Sequence, residues 1–247
     1  MARGTFLSQV PPVTLRLMIA TAVVTLGCVV AAHAGVPQLL EAFVYQPGAV
    51  VPGLRFWKLL SAVFVTGTDP MGFLFGLIAL YFLGGWFERS FGSRRFLRFF
   101  VLSAIGASLL PLSISVFSPS VRAYPYFGNW PVFEALTVAL GLLQPRAQVY
   151  FYMIIPVTAR QLMLLSWGLI ALFIVFDGGV TPYLCAIGGI GSGFVLTLGK
   201  DMARGPRRWW LRLQAARLER HLKKRAAHLR VVPPLASEAD DKKTYLH

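Results

Sequence analysis

The residues able to do chemistry in an apolar setting are few. There are four histidines, His33, His221, His228 and His247, and none lies deep inside an apolar stretch. Ser103, Ser108, Ser166 and Ser192 fall within such stretches, but a serine attacking an amide needs a base for its proton and donors for the oxyanion. The candidate lysines, Lys58 and Lys200, sit at the ends of apolar segments and leave no Ser–Lys dyad. The four serines are therefore expected to bond back to helix carbonyls. An aspartyl mechanism needs paired carboxylates, and Glu134 stands alone within its segment. Asp177, beside Gly178-Gly179, reads as a solvated turn residue, and Glu88 beside Arg89 as an interfacial pair. Cys28 and Cys185 make neither a disulfide framework nor a CxxC metal pair. No cofactor and no metal site is expected.

The elements that would position these residues are membrane helices. Of 247 residues 56% are hydrophobic and only 14% charged, and mean hydropathy is +0.62. A soluble domain carries about 25% charge, so the class is integral membrane protein. Six apolar segments are read, at 14–34, 71–87, 96–117, 128–144, 162–177 and 181–199. The second and fourth are short and suit spans packed inside protein. The first ends Ala32-His33-Ala34, which fits a signal-peptidase site, but its run from Leu17 is long for a signal h-region and adequate for a span. FWKLLSAVF (56–64), in the loop after the first span, reads as an interfacial stretch anchored by Trp57.

Charge sets the expected orientation. Thirteen of the 24 Lys and Arg lie between Lys200 and Lys243. Arg89, Arg94, Arg95 and Arg98 follow the second span, and Arg146 and Arg160 the fourth. The positive-inside rule then places both termini in the cytoplasm, with a bacterial inner membrane as the simplest setting. The domains are a cytoplasmic N-terminus (1–13), a membrane domain (14–199) and a basic tail (200–247). The tail's helix, about 206–230, suits anionic lipid headgroups rather than nucleic acid.

Residues 185–195 read CAIGGIGSGFV, and Gly189 and Gly193 have the spacing that lets helix backbones approach closely. Gly72 and Gly76 repeat that spacing in the second span. FWKLLSAVFVTG, GFLFGLIALYFLGGWFERSFGSRRFLRFF, LQPRAQVYFYMIIPVTAR and CAIGGIGSGF follow one another in the order and spacing of rhomboid intramembrane proteases. The chain resembles that family from about residue 50 to 200. The resemblance implies an all-α, rhomboid-like bundle of six transmembrane helices, with Gly188, Gly189 and Gly193 as helix-packing glycines. It also implies an emptied active site. Ala186 takes the place of the catalytic histidine. Asn129 or Trp130, depending on whether Phe133 or Gly128 fixes the register, takes that of the serine. Gly72 and Gly76 take those of the oxyanion-stabilising histidine and asparagine, and Thr66 lies near a further loop histidine.

The expected function is that of a non-catalytic pseudoprotease. It would bind transmembrane helices of client proteins, as inactive rhomboids and derlins do, and admit them between spans two and five. Glu134, one turn inside the fourth span, is the candidate polar client contact, since a carboxylate there must be neutral, paired or facing water. A small transporter or channel is the alternative, and an active protease a further one. Asn129 and Pro131 also suit the cap and first turn of a helix.

Overall fold

In a computed structural model the described residues are 10–50, 53–66, 69–151 and 155–199. The basic tail, with its expected helix, lies outside them. The protein is an all-α membrane protein with one small hairpin. Its elements are α1 (Pro12–His33), α2 (Gln38–Phe43), α3 (Pro47–Val50), α4 (Lys58–Ser61), α5 (Pro70–Ala79), α6 (Gly85–Phe91), α7 (Ser93–Ile114), α8 (Pro119–Ala123), α9 (Trp130–Leu143), the strands β1 (Gln148–Phe151) and β2 (Ile155–Thr158), α10 (Ala159–Phe176) and α11 (Thr181–Gly199). The strands pair antiparallel, Gln148 opposite Thr158, where the sequence reading had only a loop.

Among the described residues five helices, not six, are long and apolar enough to cross a membrane: α1, the continuous helix of α5 and α6, α7, α10 and α11. The sixth apolar segment is α9. Its 14 residues span about 21 Å, well short of a hydrocarbon core of about 30 Å. It has no need to match that thickness. Pro131 through Gly141 are all buried, and α7, α10, α11 and the π-helical turn between α5 and α6 pack around it. A helix apolar on every side is stable when protein surrounds it.

The second segment was expected to be short and enclosed. Instead α5 and α6 run unbroken for 22 residues through the π-helical turn Leu80–Gly84. Met71, Leu74, Ile78 and Phe82 stand on its outer surface. The buried residues Leu80, Gly84, Gly85, Phe87 and Glu88 gather in its second half.

Asp69 and Pro70 start this helix as an N-cap followed by proline at the first position. The Asp69 carboxylate accepts the Gly72 N–H at 2.7 Å. Asp69→Ala is expected to cost about 1 kcal/mol and Asp69→Asn much less. Chemical unfolding in detergent checks this: equal midpoints for wild type and Asp69→Ala would refute the cap.

The core lies at two depths. Near the α6–α7 turn, Phe87, Phe96, Phe99 and Phe100 pack with Val132, Phe133 and Leu136 of α9. At the other end, Tyr45, Val50, Leu59 and Ala62 of the α1–α5 connection pack with Val121, Tyr126, Leu184 and Cys185. That connection is pinned to the chain entering α9. Tyr45 and Tyr126 exchange backbone hydrogen bonds at 2.8 and 2.7 Å, and Gly128 N–H donates to Ala62 O at 3.0 Å.

Trp57 is exposed, in keeping with an interfacial position, while its neighbour Lys58 is buried. The Lys58 ammonium donates to Glu41 O at 2.6 Å. Burial and the nearby Arg55 lower its pKa, and Glu41 acts in the opposite sense.

Candidate functional site

The start of α9 is where the singled-out residues meet. Asn129 occupies the N-cap position, but its side chain makes no capping bond. It turns away and donates from Nδ2 to Gly76 O at 3.4 Å. Gly76 is needed for this approach: a Cβ there would lie 2.8 Å from Thr66 Cγ2 and 3.0 Å from Asn129 Nδ2. Thr66 is buried too, and its N–H donates to Thr25 Oγ1 at 3.1 Å. Thr25 Oγ1 in turn donates to Phe64 O at 3.0 Å. Asn129, Gly76, Thr66 and Thr25 thus form one thread of contacts across α9, α5, the chain before α5, and α1, hydrogen-bonded at its two ends and closed in the middle by the Thr66 methyl against Gly76. Gly72 is not part of it, since its neighbour is the capping carboxylate of Asp69.

Beside this thread lies a cleft of about 400 Å³. Trp130 and Pro131 of α9, Phe173 of α10, Ala186 of α11 and Tyr126 in the chain before α9 are among its lining residues. Ala186 is buried and presents only a methyl group, whereas Trp130 is 44% exposed. Tyr126 donates its hydroxyl to Thr181 O at 2.9 Å, and burial raises its pKa well above the ordinary tyrosine value.

The glycines after Ala186 seat α11 against two neighbours. A Cβ on Gly189 would fall 2.1 Å from Pro131 O, and one on Gly193 2.8 Å from Ala135 Cα, both in α9. A Cβ on Gly188 would fall 2.4 Å from Ala107 O in α7. The three glycine contacts are backbone-to-backbone, the closest that helices make, while Ser192 meets α7 at Gly106 through its side-chain Cβ.

Residues 17–197 match the model of a family described as a eukaryotic integral membrane protein, DUF1751. The chain belongs to that family. The match takes in α1 and nearly all of α11, so the thread, the cleft and the glycine contacts all fall within the DUF1751 region. The chain is an integral, multi-pass membrane protein. A eukaryotic family tells against the bacterial inner membrane as its setting. None of the curated proteins is significantly similar to the chain.

In this DUF1751 chain three of the four membrane serines bond to carbonyls. Ser103 Oγ donates to Phe100 O at 3.0 Å, Ser108 Oγ to Ala104 O at 3.0 Å and Leu59 O at 3.1 Å, and Ser192 Oγ to Gly189 O at 2.9 Å. Ser166 departs from the expectation and donates to Glu134 Oε1. Glu134 is 2% exposed. Trp130, one turn earlier, also directs its side-chain donor at the carboxyl group. Oε2 completes no hydrogen bond of ordinary geometry among the described residues. Asp177 is exposed and accepts the Tyr183 hydroxyl. Among the described residues no three His, Cys, Asp or Glu come together as metal ligands would.

The sequence reading missed Thr25 and the role of Glu88. Thr14, Thr21, Thr25 and Cys28 recur on one buried stripe of α1, a spacing that marks a polar helix face. Nothing local signals Glu88. It does not act as an interfacial partner of Arg89 but accepts hydrogen bonds from the backbone that opens α1.

Proposed function

We propose that this chain is a rhomboid-like membrane protein without proteolytic activity that holds transmembrane helices of client proteins in the cleft beside Trp130 and Ala186. One observation carries the reading. Three positions that the rhomboid resemblance aligns with catalytic machinery, Asn129, Gly76 and Thr66, lie against one another. That convergence supports the register fixed by Phe133, with Asn129 in the serine position. A carboxamide bonded to a carbonyl and a glycine supply no nucleophile, and the Thr66 hydroxyl has the Thr25 hydroxyl 3.3 Å away rather than a base to take its proton. On the cleft wall, the methyl of Ala186 stands where the resemblance aligns the catalytic imidazole.

Client entry between α5 and α10 fits their packing. α10 rests on α9 and β2 while Leu164, Leu165, Leu169 and Leu172 stay exposed. The arginines after α6 support cytoplasmic termini, and the tail extends the reading to anionic lipid.

The test places a photoreactive residue at Trp130 or Phe173, both partly exposed and lining the cleft. Irradiation in native membranes is expected to yield discrete adducts with a few membrane proteins. Adducts with lipid or with the chain itself alone would overturn client binding. Purified protein is expected to leave a transmembrane reporter uncut, and cleavage would overturn the pseudoprotease reading.

A further inference from the structure

The client-binding reading leaves open which helices the cleft accepts, and Glu134 narrows the choice. Its carboxyl is buried among α9 and α10, with Oε1 taken by Ser166 and Oε2 without a hydrogen bond among the described residues. A membrane interior offers little water to supply the missing partner, and an uncompensated carboxylate there costs several kcal/mol. Trp130 stands one turn before Glu134 on α9, at the cleft, whose lining does not include Glu134 itself. Its indole both lines the cleft and leans toward Glu134. At 44% exposure it has room to change rotamer. Rotation of that ring away from α9 would open Oε2 to an occupant of the cleft.

We propose that Glu134 selects clients, and that the preferred client is a membrane helix carrying a basic residue about one turn, or 6 Å, inside the membrane face at which Trp130 lies. The reading rests on the client-binding proposal above. A lysine or arginine at that depth is costly in lipid and gains by pairing with a buried carboxylate that has a vacant acceptor. An apolar helix gains nothing from Glu134, because Oε2 stays unpaired when it docks. Selection therefore comes from a penalty that only one class of partner removes.

The test reconstitutes the full chain in phosphatidylcholine vesicles with single-span leucine–alanine reporter helices. A photoreactive residue at Phe173 measures capture. One lysine is moved along the reporter, with leucine at the same positions as control. Lysine one turn inside the matching face is expected to raise capture about tenfold over leucine, and the preference is expected to vanish when lysine sits at the opposite end. Glu134→Gln, with elution in detergent confirming its fold, is expected to bring lysine and leucine reporters within about twofold of each other. If the variant does not fold, the lysine scan on the native chain decides alone. Equal capture of lysine and leucine reporters would overturn selection by Glu134 and leave client binding standing. Capture of no reporter at all would overturn both.

Discussion

Gly189→Ala is expected to unseat α11 from α9 and to cost about 3 kcal/mol or more, at the upper end of what an added methyl does in a packed core. Its new Cβ would stand 2.1 Å from Pro131 O, a main-chain atom in the first turn of a helix enclosed by its neighbours. No side-chain rotation relieves that contact, so the two helices must part by roughly 1 Å to reach an ordinary separation of about 3.4 Å. The same shift would break the approaches of Gly188 to Ala107 and of Gly193 to Ala135. The control sits two residues away. A Cβ on Gly191 meets nothing within 4 Å, so Gly191→Ala is expected to be neutral or to stabilise by about 0.5–1 kcal/mol through backbone entropy. Titrating both purified variants with denaturing detergent while following tryptophan fluorescence separates them. Coincident midpoints would show that the α9–α11 seam yields without cost. The cleft should follow the seam, since Ala186 and Pro131 line it from these two helices.

This contrast marks where sequence reading succeeds and where it stops. GGIGSG announces close packing because glycine spacing is a local signal, but the spacing says nothing about which glycine meets which backbone. Gly188 and Gly189 are adjacent, yet one faces α7 and the other α9. Apolar stretches located the membrane helices to within a few residues, because transfer energy accumulates along the chain. They placed α9 beside the longer helices without a sign of its different setting, because hydropathy does not distinguish a helix enclosed by protein from one that must match the bilayer. For α5 the error ran the other way. The charged pair Glu88-Arg89 ends the apolar run early, although the helix continues to Phe91.

At the site, the resemblance pointed to Asn129, Gly76 and Thr66 one by one, and the fold brings them together. Gly72 was named by the same register and lies elsewhere, against Asp69. Thr25 went unnoticed because a threonine in an apolar helix reads as neutral filler until its partner is known. That partner, Thr66, is 41 residues away. The direction of the Asn129 side chain was equally hidden. Asparagine before a helix bonds by habit to the first turn, but here the Gly76 carbonyl competes for it.

Glu88→Ala is expected to be the other severe change, costing about 3 kcal/mol or more by stranding buried donors. α1 opens with Pro11 and Pro12 and has no side-chain cap of its own. Its first-turn N–H groups need an outside acceptor. Glu88, at the far end of the α5–α6 helix, supplies one: its carboxylate accepts Val13 N–H at 3.0 Å, Thr14 N–H at 2.7 Å and the Thr14 hydroxyl at 2.8 Å. Ser93, the first residue of α7, adds its hydroxyl at 2.6 Å. One carboxylate thus sits at the positive ends of two helices, where both dipoles favour it. Glu88→Gln keeps one good acceptor and is expected to lose about half as much. Thr14→Val should be costly alone but add little on top of Glu88→Ala, because the two remove shared bonds. Arg89→Ala discriminates between capping and surface pairing. Arg89 is exposed, and an exposed pair is worth at most about 1 kcal/mol. If Glu88 stabilises by capping α1, Arg89→Ala leaves the unfolding midpoint near wild type while Glu88→Ala lowers it sharply. Equal losses from the two would return Glu88 to the interfacial pair and leave the opening turn of α1 without its acceptor.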